Sequence, residues 1–165
     1  MAAIWPTKRH KNDMFAGMSF VPDDFDVPRT FSGPGFRLEP LGAEHNERDH
    51  EAWMSSIDHI EATPGVEVWA GEWPVPMTLE DNLADLVAHA AEFEERTAFA
   101  YSVLDGEDVV GCLYIDPPTR AGHDAEVMSW VRASRAELDV EVWRAVSAWL
   151  ADVWPFESPY YAPRD

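Results

Sequence analysis

The sequence predicts an α/β layer protein, a mixed and mainly antiparallel sheet flanked by helices. Three observations carry this reading. Apolar-rich runs at 98–105 ("AFAYSVLD") and 108–116 ("DVVGCLYID") are separated only by Gly-Glu, a tight hairpin. A third run, "AEVMSWVR" at 125–132, passes directly into an amphipathic period over 139–152. Two further helical periods and a short alternating run precede the hairpin, so the order is strand, helix, helix, three antiparallel strands, helix, short strand. That order packs helices on a sheet.

The 165 residues suffice for one domain with a substantial core, and 46% hydrophobic content with eight Trp and eight Phe excludes a disordered chain. Residues 1–35 read as an irregular arm: prolines recur, Asp23, Asp24 and Asp26 cluster, and Trp5, Phe15, Phe20, Phe25 and Phe31 are available to dock it on a domain spanning 36–165. "FRLEPL" (36–41) alternates, with Phe36, Leu38 and Pro40 on one face, and its proline places it at a sheet edge. A helix follows over 43–57, with Trp53, Met54, Ile57 and Ile60 on its apolar side. Recurrent Pro and Gly make 62–77 a loop. Thr78 and Asp81 resemble a capping box with Asp for Glu, and they open a helix whose apolar stripe is Leu79, Leu83, Leu86, Val87, Ala90 and Phe93. In the last helix Val142, Val146, Trp149, Leu150 and Val153 form the stripe to be buried, with Trp143 beside it, and Pro155 ends it. "FESPYYAPR" has room for one last short strand.

Twelve basic against 31 acidic residues give a formal net charge of −19. Such a surface argues against binding nucleic acid or an anionic membrane, and favours cationic partners or amine substrates; the acidity is equally the mark of an acidic host proteome or a salty cytoplasm. The single cysteine, Cys112, excludes an intrachain disulfide and lies in an apolar run, where it reads as a small buried side chain. No apolar run approaches the ~20 residues that span a bilayer. The basic group Lys8, Arg9 and Lys11 is interrupted by Asp13 and Gly17, which is no secretory signal, so the expected location is cytoplasmic.

Chemistry is expected at "SWVRASRAELD", where a strand hands over to a helix, because unpaired amides and the helix dipole favour an anion there. Together with "FRLEPL" and "AFAYSVLDGEDVVGCLYIDP", and over roughly residues 36–161, this wording and element order resemble the GNAT (GCN5-related) N-acetyltransferase superfamily, in its ribosomal-protein-acetylating branch. The resemblance implies acetyl-CoA as co-substrate and transfer of acetyl to an amine of a small molecule or peptide. It implies that the strand holding Ser129, Trp130 and Val131 splays from its neighbour and pairs with pantetheine, and that residues 132–139 wrap the pyrophosphate. Two departures stand against it. The family loop carries glycines where this chain reads "RASRAELD", with Glu137 and Asp139 at the expected helix start; Asp139 suits an N-cap, and both acids repel a phosphate. Arg132, Ser134 and Arg135 are the compensating phosphate ligands. The family also continues past its fifth strand with a helix and two more strands that are missing here. The sheet edge this leaves makes a homodimer an expectation.

A transferase needs a base within hydrogen-bond reach of the amine. Glu126 and Asp116 are the candidates, with Tyr160 the candidate proton donor. Alternation puts Glu126, Met128 and Trp130 on one face and Val127, Ser129 and Val131 on the other, without saying which sees substrate. His45 and Asp49, one helical turn apart with His50 adjacent, lack a third metal ligand at motif spacing and read as a solvated helix face. Trp69 and Trp73 beside glutamates would suit a cation, or would anchor their loop to the core. Two functions therefore stand: an acetyl-CoA-dependent N-acyltransferase, and a non-catalytic degenerate GNAT scaffold that binds a ligand or a protein.

Overall fold

The computed structural model describes residues 20–69 and 72–164. Trp5 and Phe15 of the arm lie outside them. Among the described residues six strands form one sheet in simple sequential order: β1 (Phe31–Gly33), β2 (Phe36–Pro40), β3 (Phe99–Asp105), β4 (Asp108–Asp116), β5 (Ala125–Val131) and β6 (Pro159–Tyr161). Every neighbouring pair is antiparallel except β5 and β6, which run parallel. The helices are α1 (Asn46–Met54), α2 (Ile57–Glu61), α3 (Leu79–Glu95) and α4 (Leu138–Val153). The single helix expected over 43–57 is a 3-10 turn at Ala43–His45 followed by α1, with α2 beginning only at Ile57. No described helix is long and apolar enough to cross a membrane.

The 36–40 strand is not the outermost strand. The arm folds back as β1, turning through Pro34 and Gly35, whose φ of 80° is the left-handed conformation a tight turn requires after proline. β1 pairs only with Phe36–Leu38 and stops short of Pro40, which has no N–H to offer a neighbour. The aromatic residues of the arm do the docking: Phe20 lies 5.7 Å from Phe99, Phe25 5.2 Å from Trp154 and Phe31 4.7 Å from Trp149, ring centre to ring centre. Arg96 donates to the carbonyls of Pro22 and Phe25, and Tyr101 to that of Pro28.

The sheet separates two cores. On one side Tyr101, Val103, Leu113, Ile115, Val127 and Val131 meet Val142, Val146, Trp149 and Leu150 of α4. On the other, Leu104, Cys112, Tyr114, Met128 and Trp130 meet Trp53 of α1, Ile60 of α2, Leu86 of α3, and Trp69 and Trp73 of the connecting loop. Both loop tryptophans thus anchor to the core.

α3 departs from its expected stripe. Thr78 caps it as expected, its hydroxyl accepting from the Asp81 amide at 3.0 Å. Leu86 and Phe93 are buried, but Leu79, Leu83 and Val87 are exposed, and the inward face carries Asn82, Asp85 and His89. In α4, Val153, the last residue of the helix, is exposed, while Trp154 just after it is buried in the core.

Candidate functional site

The strand-to-helix junction is built where β5 ends. The Arg132 amide donates to the Val110 carbonyl at 2.8 Å, a 3-10 turn follows over Ala133–Arg135, and α4 starts at Leu138. β5 and β6 pair only from Ala125↔Pro159 to Val127↔Tyr161, where β6 ends, so β5 runs on without a strand partner on that side. Ser129, Trp130 and Val131 lie along this unpartnered edge of β5.

That stretch is filled by the chain itself. The Arg164 side chain, 2% exposed, lies against this edge of β5. Its Nη2 donates to the Ser129 carbonyl at 2.9 Å, its Nη1 to the Ala162 carbonyl at 2.8 Å and its Nε to Asp139 Oδ2 at 2.9 Å. The Tyr161 hydroxyl lies 2.6 Å from the Ser129 hydroxyl. Asp139 therefore does not cap α4: its carboxylate is spent on Arg164, and the cap residue is Glu137, without a side-chain capping bond.

The loop groups are partnered too. Arg132 forms a two-pronged pair with Glu51 of α1, at 2.8 and 2.7 Å, and this holds the Glu51 carboxyl below its usual range. Arg135 turns the other way, to Glu137 at 2.9 Å and to Asp105 at the end of β3 at 2.8 Å. The Ala133 amide donates to the Ser56 hydroxyl. Ser134 is exposed. The two arginines thus lead to different neighbours and do not converge.

The other sequence candidates do meet. Asp116, Glu126 and Tyr160 form one register row across β4, β5 and β6, so their side chains leave the sheet on the same side. Glu126 is buried and already serves as an acceptor, for the Thr119 hydroxyl at 2.8 Å and for Arg120 Nε at 3.1 Å. The Arg120 guanidinium lies 4.0 Å above the Tyr160 ring. The row is thus a charge-paired cluster at the start of β5, three residues before Ser129, or about 10 Å along a strand.

A second constellation lies on the same side of the sheet as that row, under α1 and α3, and sequence reasoning reached only its edges. His45 and Asp49 are buried rather than solvated. His45 Nδ1 lies 2.9 Å from the Ser102 hydroxyl, and no group of three or more His, Cys, Asp or Glu able to hold a metal exists among the described residues. Asp49 accepts from Asn82 at 3.0 Å and from the Cys112 thiol at 3.3 Å. Asn82 also donates to Asn46 and accepts from the Trp53 indole. Burial pushes up both the Asp49 carboxyl and the Cys112 thiol, so Cys112 is an inert hydrogen-bond donor. A pocket of about 20 Å³ opens here, lined by Asp49, Asn82, Asp85 and His89 together with Trp53, Trp73 and Tyr114. Burial, then the neighbouring Asp81 and Asp49 charges, push Asp85 up to about 7. The signal for this site was the polar repeat 82, 85, 89 on α3, which has the same helical period as the apolar stripe.

No protein-family model and no curated protein sequence matches the chain. Solved structures do. The microcin C7 self-immunity acetyltransferase MccE, in complex with acetyl-CoA and AMP, aligns at TM-score 0.57 and 15% identity over 77% of this chain and 69% of that one. The ribosomal-protein-S5-alanine acetyltransferase from Vibrio fischeri aligns at TM-score 0.55 and 15% identity over 76% of this chain and 66% of that one. The ribosomal L7/L12 α-N-protein acetyltransferase RimL, in complex with coenzyme A, aligns at TM-score 0.54 and 11% identity over 76% and 67%. This chain thus spans about two thirds of the length of these structures. What they share with it is the fold: a mixed α/β sheet of the GNAT type, flanked by helices.

Proposed function

We propose that this chain is a binding module built on the GNAT fold and that it does not transfer acetyl groups. The observation that carries this reading is Arg164. A guanidinium against the edge of β5 beyond the end of β6, bonded to the Ser129 carbonyl and to Asp139, takes up the backbone acceptor and the helix-start region that the resemblance reserves for acetyl-CoA. Glu51, Asp105 and Glu137 neutralise the arginines that would replace the missing glycine amides. In this reading the residues present do not fit the cofactor. Titration calorimetry of the full chain with acetyl-CoA and coenzyme A tests it. The expected result is no binding at millimolar cofactor. Micromolar binding that weakens in Arg132→Ala would overturn it.

A second reading, N-acetyl transfer to an amine, is favoured by the stretch of β5 beyond Val127 that has no strand partner on the β6 side. It requires Arg164 to leave Asp139 so that acetyl-CoA lies along Ser129, Trp130 and Val131, with Arg132, Ser134 and Arg135 on the pyrophosphate. Glu126 or Asp116 would then take the amine proton and Tyr160 would supply one. In either reading β6, which pairs on one side only among the described residues, is the edge through which a homodimer would form.

A further inference from the structure

A surface helix normally turns its apolar side inward. α3 does so only in part: Leu86 and Phe93 are buried, but Asn82, Asp85 and His89 are buried beside them while Leu79, Leu83 and Val87 face out. Burying a polar row costs desolvation unless each group finds a partner. Asn82 finds several. Asp85 does not: it is 6% exposed, its Oδ1 is buried without a hydrogen-bond partner among the described residues, and it lines the pocket. Asp49 brings a second carboxylate to the same space. Trp53, Trp73 and Tyr114 supply aromatic walls, and neither Lys nor Arg lines the pocket. A divalent metal of the calcium type wants six or more oxygen ligands, which these groups do not supply.

We propose that the pocket between α1, α3 and β4 binds a small ammonium-type cation, either ammonium itself or the head of a primary amine, with Asp85 as its counter-ion and hydrogen-bond acceptor. A pocket of about 20 Å³ admits one water-sized group, which an –NH3⁺ head matches and a quaternary ammonium exceeds. Aromatic walls attract a cation where they would be indifferent to water. Three N–H donors suit an acceptor left bare on Asp85, and the chain's net charge of −19 raises the local concentration of cations. This inference gives the binding module a ligand class and rests on the pocket alone. Coenzyme A titration interrogates the cleft and cation titration the pocket, so the two proposals fail separately.

The test uses the full chain at mildly alkaline pH. Its thermal midpoint is measured with ammonium, methylammonium, sodium and tetramethylammonium chlorides at equal ionic strength, and the line width of isotope-labelled ammonium is followed by NMR. The expected result is a saturable rise in midpoint with ammonium or methylammonium, none with sodium or tetramethylammonium, and an ammonium line broadened by the protein and sharpened again by excess methylammonium. Tighter binding of methylammonium identifies an amine head as the ligand; preference for ammonium identifies the free ion. The near-isosteric Asp85→Asn should weaken binding by ~10–100-fold, the loss of one charged hydrogen bond. Identical midpoints in all four salts with an unbroadened ammonium line would mean a bound water only and overturn the proposal. Undiminished affinity in Asp85→Asn would overturn it as well, and should that variant not fold, the wild-type line-width competition decides.

Discussion

Replacing Arg164 with alanine removes one guanidinium from three acceptors at once: the carbonyls of Ser129 and Ala162 and the Asp139 carboxylate. A hydrogen bond to a charged group contributes about 1.5–3 kcal/mol net, and removing one partner of a buried ion pair costs about 3–5 kcal/mol. The Arg164 side chain is 2% exposed but that of Asp139 is 21% exposed, so water recovers part of the loss on the acid side. Arg164→Ala should therefore destabilise the chain by ~3 kcal/mol. Arg164→Lys should recover less than half of this, since an ammonium cannot present the planar fork that reaches three acceptors. Urea denaturation of wild type, Arg164→Ala, Asp139→Asn and the double variant measures both the total and the coupling. The coupling should exceed ~1 kcal/mol, because the two residues share one contact. A loss below ~1 kcal/mol for Arg164→Ala, or additive single effects, would refute the idea that this side chain closes the cleft.

Asp85 makes stability depend on pH in an unusual direction. Its folded-state carboxyl is raised to about 7, so between about 4 and 7 the native state holds a proton that the unfolded state has released, and stability falls as pH rises through that window, by at most ~4 kcal/mol. Asp49, also raised by burial, acts in the same sense, while Glu51, held down by Arg132, acts oppositely and only below the ordinary glutamate range; Asp81, His89 and Tyr114 are the other titratable groups around Asp85. Asp85→Asn should flatten the profile, and equal wild-type denaturation midpoints at the two ends of the window would contradict this. Gly111→Ala should abolish folding or cost more than ~3 kcal/mol, since a Cβ there collides with the Trp130 carbonyl across the β4–β5 ladder and backbone cannot step aside; a soluble variant with wild-type thermal midpoint would contradict it. Tyr101→Phe should cost about 1 kcal/mol by stranding the Pro28 carbonyl, and faster proteolysis near residues 20–30 should accompany it.

How far the molecule could be read in advance follows from the range of the forces involved. The hairpin β3–β4, the strand β5 and the helix α4 rest on period and turn chemistry within a few residues, and they lie within a residue or two of the expected bounds. β1 was hidden because three residues, Phe31–Gly33, carry too short an alternation to register, and only pairing with β2 makes them a strand. Asp139 at a helix start looks like a cap locally. Arg164, 25 positions later, outbids the amides for its carboxylate. The row of Asp116, Glu126 and Tyr160 needed the register of three strands, which no single segment encodes.

α3 shows the division most plainly. By itself the sequence determined that residues 79–95 are helical, since period, cap and propensity are local properties, and it determined the layer order that makes this a GNAT-type sheet. Which side of that helix faces inward was a tertiary decision. Both its apolar and its polar stripes repeat at the helical period, and the hydrogen bonds Asn82 accepts from Trp53 and donates to Asn46 and Asp49 hold the polar stripe inward. The same holds at the cleft. The strand-to-helix turn is written in the sequence, but its filling is a long-range ion pair, and a charge has no preferred partner until the fold removes the water that competes for it.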